Sequence, residues 1–331
     1  MHKAEFKIKA ITPIFMRGAN QSQAEIRASS IKGLMRWWFR ALAGSYFGDD
    51  ITGLRKAEEF VFGSTGRRSK VTVEITEMEI KRGNYPLPMV WNKRKGIRIY
   101  REAIAPKSHF RLRLSSHDEE CIKLASYSLL GLTYFGGIGF RSNRGAGSLK
   151  ISDLDSDVDL LPVPKTKNEL KRFVSNLISA TNKILQNLFS HNSSIHRGKC
   201  DPYSSFNCFY LYLWKSESDL KKVYYKNDNL NLNEDKLNLL DVFEKKFKDK
   251  NSHSSNYGYQ DFVFGLPRGP RKDRRASPLK VGVLELSRVY SIRFSVFRTE
   301  VFRPHTSANW GHIFKFLENI GAEKIYPIGG E

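Results

Sequence analysis

The sequence predicts an α+β protein, and three observations predict it. Runs that alternate apolar and polar residues, the strand period, lie between runs with the 3.6-residue helix period. Over residues 1–151 they come in the order strand, helix, strand, strand, helix, strand, once a short second helix is set aside. Residues 152–331 mix the two periods again, around a polar stretch at 215–260. The first order is the split βαβ, ferredoxin-like arrangement. A chain of 331 residues has length enough for two domains, here 1–151 and 152–331.

From Lys3 to Thr12, Phe6, Ile8 and Ala10 share one face and Lys7 and Lys9 the other, a half-buried strand that Pro13 ends. Met16 to Asn20, with Arg17, is a polar connection. Ser29-Ser30 offers a hydroxyl N-cap to a helix whose Ile31, Leu34, Met35, Trp38 and Leu42 lie on one side. Leu54 to Phe62 is the short second helix, closed by Gly63. Lys70 to Ile80 alternates Val71, Val73 and Ile75 with Thr72, Glu74 and Thr76. Gly83 to Gly96, with two prolines and Lys93-Arg94-Lys95, reads as a loop. Ser108 to Leu114 is again strand-like. Asp118-Glu119-Glu120 puts acids at a helix start, where the macrodipole favours them. A strand begins at Ser148. The acids from Ile151 to Asp159 are its edge and a domain boundary; a calcium loop would need glycine at Val158 and a bidentate acid at Pro164.

Beyond that boundary, Lys165 to Ser190 reads as an amphipathic helix and Ser205 to Trp214 as a strand. Lys215 to Gln260 is a polar insertion with one helical run. Phe262 to Leu266, Val281 to Leu286 and Ser291 to Phe297 read as strands, and Ser307 to Ile320 as a helix, an order compatible with a second unit of the same kind.

The formal net charge of +21 makes the chain seek polyanions, nucleic acid or an anionic membrane. From Arg67 to Arg113 basic residues outnumber acidic ones by 13 to 4, so much of the surplus lies in the first half. No long uncharged apolar segment occurs, and Met1 to Glu5 lacks a signal-peptide pattern, so a cytoplasmic protein is expected. Cys121, Cys200 and Cys208 form no CxxC pair and read as reduced packing thiols. No GxxxxGK[ST], complete GxGxxG or zinc-ligand spacing appears, and no cofactor or metal is expected.

Two stretches stand out chemically. Gly136-Gly137-Ile138-Gly139-Phe140-Arg141-Ser142-Asn143-Arg144-Gly145-Ala146-Gly147 lies between a helix and a strand. Its main chain can adopt positive φ, its N–H groups can form an anion nest, and Arg141 and Arg144 suit phosphate oxygens. The alternative is a helix cap and turn with two solvated arginines. In the first long helix, Lys32, Arg36 and Arg40 recur every four residues. Like charges at that spacing repel, which suggests an anion set against them; a solvated face on a core helix is the other reading. Trp37 or Phe140 could stack a base, or Trp37 could belong to the core. A further basic turn, Arg268 to Arg275, either binds phosphate or is a solvated loop.

Ser30-Ile31-Lys32-Gly33-Leu34-Met35-Arg36-Trp37-Trp38-Phe39-Arg40-Ala41, the glycine-arginine loop, Phe264-Gly265-Leu266-Pro267-Arg268 and Arg274-Arg275-Ala276-Ser277-Pro278-Leu279 together resemble the RAMP superfamily of CRISPR-associated proteins. More closely, they resemble the family of the first subunit of the type III-B (Cmr) effector complex. The resemblance implies two tandem ferredoxin-like domains, the second carrying the insertion. It implies CRISPR RNA and target RNA as ligands near the guide's 3′ end, other Cmr subunits as partners, and cleavage by a different subunit. Gly137, Gly139, Gly145 and Gly147 match the loop signature, and Lys32, Arg36 and Arg40 the basic helix. The candidate RNA-binding set is therefore Arg17, Lys32, Arg36, Trp37, Arg40, Gly137, Gly139, Arg141, Arg144, Gly145, Gly147, Arg268, Arg271, Arg274 and Arg275, with no catalytic residue. The rivals are a metal-independent ribonuclease using His2, His109, His117 or His305, and a subunit that only assembles.

Overall fold

The computed structural model describes residues 1–92, 97–189, 200–201, 203–214, 278–287, 289–299 and 310–327. The expected insertion at 215–260, the strand at 262–266 and the Arg268–Arg275 turn lie outside the described residues. The described chain runs β1 (His2–Ala10), α1 (Ala28–Phe47), α2 (Ile51–Phe62), β2 (Thr72–Glu79), β3 (Arg82–Asn92), β4 (Ile97–Ile104), β5 (His109–Ser116), α3 (Glu119–Phe135), β6 (Leu149–Ser156) and α4 (Lys167–Leu188). A 3₁₀ turn at Phe206–Cys208 leads into β7 (Phe209–Trp214), then β8 (Leu279–Leu286), β9 (Val289–Phe297), α5 (Gly311–Asn319) and β10 (Glu323–Tyr326).

Two antiparallel four-stranded sheets form, in the orders β2-β5-β1-β6 and β8-β9-β7-β10. In both, the first and third strands of the set are central and the second and fourth are edges. The first sheet turns Phe6, Ile8, Leu112 and Leu114 onto α1 and α3. The second sheet turns Phe209, Leu211, Leu213 and Phe297 onto the same helices and α4. One helical layer thus lies between two sheets. Trp38, 3% exposed, joins them: its ring lies 6.3 Å from Phe135, 6.2 Å from Phe206 and 5.7 Å from Phe297. Burying such a ring stabilises by about 2–3 kcal/mol. The far face of the second sheet, with Val281, Phe294 and Tyr212, packs on Ile313 and Phe316 of α5 and on Tyr85 and Leu87 of β3. Glu285 of β8 accepts from Lys9 at 3.1 Å and Lys150 at 2.8 Å, a buried carboxylate that ties the second sheet to the first.

Four expectations change. Helix α1 begins at Ala28; its N-cap residue is Arg27, with no side-chain cap bond, so Ser29 and Ser30 lie inside the first turn. The segment expected as a loop at 83–96 is largely a β3–β4 ribbon. Tyr85, Pro86, Leu87 and Pro88 are all buried, so no alternation marks the strand in the sequence; a two-stranded ribbon leaves edges where proline is tolerated. Strand β6 runs on to Ser156, with Asp153 opposite Lys7 and Asp155 opposite Glu5. Finally, Cys200 and Cys208 are joined by a disulfide, and only Cys121 among the three is free, and buried. The chain doubles back through Asp201 and Ser205, whose hydrogen bond folds the segment so that the two sulfurs meet.

Candidate nucleic-acid interface

The glycine loop is shaped by its own main chain. Ile138 N–H donates to Gly147 O at 3.0 Å, Phe140 N–H to Phe15 O at 2.7 Å and Gly147 N–H to Pro13 O at 2.9 Å. Arg144 and Ala146 donate to Arg141 O, and Ser148 N–H to the Thr12 hydroxyl. Glycine is required where strands come this close. Gly147 has φ +62°, and a Cβ there would overlap Ile138 O; Gly139 has φ +84°, and a Cβ would lie 2.7 Å from Phe15 O. A Cβ on Gly137 would lie 2.9 Å from Gly147 O, and Gly145 has φ +97°. The amides of Ile138, Phe140, Arg144, Ala146 and Gly147 therefore hold the loop rather than face an anion, which corrects the nest at those five positions. What the loop presents is its side chains. Arg141, Ser142, Asn143 and Arg144 are half-buried, and Phe140 is 53% exposed with the Arg141 guanidinium 5.4 Å from its ring centre.

The basic stripe of α1 has partners inside the protein. Arg36 Nε donates to Glu58 Oε1 at 2.6 Å and Arg40 to both Glu58 oxygens at 2.8 Å; Arg36 also donates to Gly63 O. Lys32 donates to Ser69 Oγ and Val71 O, and burial together with Arg36 lowers its pKa. The anion inferred from the stripe's repulsion is thus first of all Glu58, on α2 and 6% exposed. One carboxylate against two arginines and a lysine leaves positive charge over, and Arg36 and Arg40 keep a third or more of their side chains exposed.

Helix and loop meet at a residue the sequence did not single out. Lys280, on β8, puts its ammonium 4.2 Å from the Trp37 ring centre and donates to Asn143 Oδ1 at 3.2 Å. Alongside, Val281 N–H donates to Asn143 O, and Arg144 bridges to Val281. Among the described residues Lys280 forms no ion pair; burial and then Arg293 push its pKa down to about 8. Trp37 is half-buried, edge-on to Trp38 at 4.9 Å and Phe297 at 5.4 Å, so it is both a core contact and the floor under Lys280. Gly33, one turn earlier, is exposed with open space around its Cα, which leaves this flank of α1 approachable.

Arg17 donates to Gln21 O and Glu102 O, holding its own turn, while Phe15 beside it pairs with Phe140. Arg268, Arg271, Arg274 and Arg275 lie outside the described residues, as does His305. The open face of the first sheet is not an aromatic platform. The outward positions of β1 and β5 carry Glu5 bonded to Arg113 and Arg111 bonded to Glu77, with no Phe, Tyr or Trp. His109 lies on that face; burial, then Lys7 and Lys9, lower its pKa. Among the described residues there is no cluster of metal-binding side chains, and no helix is long and apolar enough to cross a membrane.

Comparison with known proteins matches residues 7–150 to the RAMP superfamily and residues 206–327 to the family described as Cmr1, C-terminal domain. The chain is 34% identical over 342 residues to the CRISPR system Cmr subunit Cmr1-1 of Pyrococcus furiosus, covering 94% of this chain and 93% of that protein. It is 40% identical over 182 residues to Cmr1-2 of the same organism, covering 46% of this chain and 97% of that one. In structure it is similar to the crystal structure of apo Cmr1 from Pyrococcus furiosus, with a TM-score of 0.70, 30% identity and coverage of 98% and 99%. It also shares the fold of a chain in the cryo-EM structure of type III-B Cmr-beta bound to cognate target RNA, with a TM-score of 0.54, 16% identity and coverage of 97% and 99%.

Proposed function

The chain belongs to the Cmr1 family of RAMP proteins, and from that premise we propose that it is a non-catalytic RNA-binding subunit of a cytoplasmic CRISPR type III-B effector complex. It grips the sugar-phosphate backbone of the guide, or of the guide–target duplex, near the guide's 3′ end, and assembles with other Cmr subunits. We read both halves as ferredoxin-like units, on the strength of the shared strand order, with the division falling after β6. The observation that carries the reading is the meeting of three segments at Lys280: the loop through Asn143, the helix through Trp37, and β8 itself. Cations so placed contact phosphates and position RNA without reading its sequence. Phe140, more exposed than Trp37, is the better base-stacking surface. The Cmr-beta complex, one chain of which shares this fold, is bound to cognate target RNA, and that supports the ligand class.

One observation favours the assembly-only reading: Glu58 already occupies Arg36 and Arg40. Titration of the full chain with two unrelated single-stranded RNAs at several salt concentrations separates the two. For the RNA grip, replacing Arg141 and Arg144 by alanine together lowers affinity ~10-fold or more for both RNAs and reduces the logarithmic salt slope by about 1–2. Salt-insensitive binding, or a loss confined to one RNA, would refute it. Cutting of either RNA in EDTA that disappears with His109→Ala would instead reinstate the ribonuclease.

A further inference from the structure

Arg293 is the largest fully buried side chain among the described residues. It lies on β9, between β7 and β8, and points into the helical layer. Its Nη1 donates to Tyr134 O at 2.8 Å and its Nη2 to Gly136 O at 2.6 Å. Those carbonyls belong to the last turn of α3 and the first residue of the glycine loop. Among the described residues it has no carboxylate partner, and its Nε has no hydrogen-bond partner. Gly282, its cross-strand partner on β8, makes the space: a Cβ there would overlap the guanidinium.

A buried cation without a counter-charge is costly, and an apolar side chain of similar length would fill the same volume more cheaply. The position of the carbonyls shows what is gained. The last carbonyls of a helix lack partners within it, and a left-handed glycine commonly ends it and supplies them locally. Here Gly136 has φ −125°, outside the left-handed region. The cap comes instead from a residue 157 positions away. A guanidinium at a helix C-terminus also meets the favourable end of the macrodipole. No side chain fits at Gly136, since a Cβ there would lie 2.7 Å from Trp38 and 2.8 Å from Leu132 O. The direction in which the chain leaves α3 is therefore fixed by Trp38 below and by Arg293 from the second sheet.

We propose that Arg293, reaching through the gap left by Gly282, is the positioning residue of the glycine loop, so that the phosphate grip of the N-terminal half exists only while the C-terminal sheet is docked against it. This rests on the RNA-binding reading above, and it deepens that reading by making the site a product of both halves. Arg293 itself, wholly buried, touches no RNA.

The full chain is compared with three variants: Arg293→Met, Arg141→Ala with Arg144→Ala, and all three together. Two measurements are made on each, affinity for two unrelated RNAs across salt and hydrogen–deuterium exchange of the loop peptide against that of β1. Arg293→Met is expected to lower RNA affinity ~10-fold, as loss of the two loop arginines does, and to flatten the salt slope alike. Added to the double variant it should change affinity less than ~2-fold, because it acts through residues already removed. Exchange should rise in the loop and stay unchanged in β1. Unaltered affinity and loop exchange in a folded Arg293→Met protein, or losses that multiply in the triple variant, would overturn the proposal. If Arg293→Met does not fold, Arg293→Lys, which keeps a cation but reaches one carbonyl, decides by the same measurements. A wild-type chain that binds no RNA refutes the RNA reading, whereas the exchange result still judges Arg293.

Discussion

The basic stripe of α1 and the glycine loop look alike in sequence, each a short run of cations between small or apolar residues, but they use their charge differently. In the stripe the side chains are engaged: Glu58, Gly63 O, Ser69 and Val71 receive Arg36, Arg40 and Lys32. In the loop the main chain carries the bonds that shape it, through Gly147, Phe15, Pro13 and Arg141, while Phe140 faces outward, Asn143 accepts from Lys280, and Arg141 and Arg144 are half-buried. The contrast teaches that a run of cations is not itself a ligand site. What matters is how its internal bonds are divided between backbone and side chain.

The largest way to sharpen that contrast is a pair of glycine substitutions. Gly147→Ala forces a Cβ onto Ile138 O at positive φ and should cost ~3 kcal/mol or more in urea unfolding. Gly33→Ala, in open space on α1, should stabilise by ~0.5–1 kcal/mol. Equal effects would mean that the loop is no more constrained than the helix.

Next comes Glu58→Gln, which removes the charge that two arginines share. Unfolding should become easier by ~1–3 kcal/mol, since a buried charged partner is lost. RNA affinity at moderate salt should rise ~3-fold, as the arginines turn to phosphate. Unchanged affinity would assign the stripe wholly to the α1–α2 contact and make the contrast absolute.

The smallest expected effect concerns Lys280. Its folded pKa of about 8 lies below its ordinary 10.5, so the unfolded chain binds that proton more tightly. The buried charge is thus a cost at pH 7, relieved as pH rises through 8 toward 10.5. Lys280→Met should therefore resist urea better than the wild type at pH 7, with the advantage shrinking by pH 9.5, while RNA affinity drops a few-fold at pH 7. An advantage that grows with pH would show that Lys280 is not held as a buried cation.

Much of this was legible because the local signals agreed. Asp118 caps α3 by accepting from Cys121 N–H, the glycines follow at once, and β6 resumes the alternation. Other parts depended on contacts distant in sequence. Glu58 lies among Leu54, Ala57, Val61 and Phe62 on the buried side of α2; an acid on an apolar stripe was a signal that it had a partner, but not which one. Lys280 and Arg293 each stand within apolar strands, and only the β8–β9 register reveals that Gly282 faces Arg293. The disulfide had no local signature, because eight positions of separation place two thiols together only after the turn at Asp201 and Ser205 forms.

The helices α1 and α3 are covered from both sides, and this has a bearing on how the chain can be divided. A fragment ending near residue 156 would keep a complete first sheet but expose a bare oily flank where Phe206, Phe209 and Phe297 now rest. Such a fragment would leave that flank to be covered by something else, so the two halves of this chain share one interior rather than each enclosing its own.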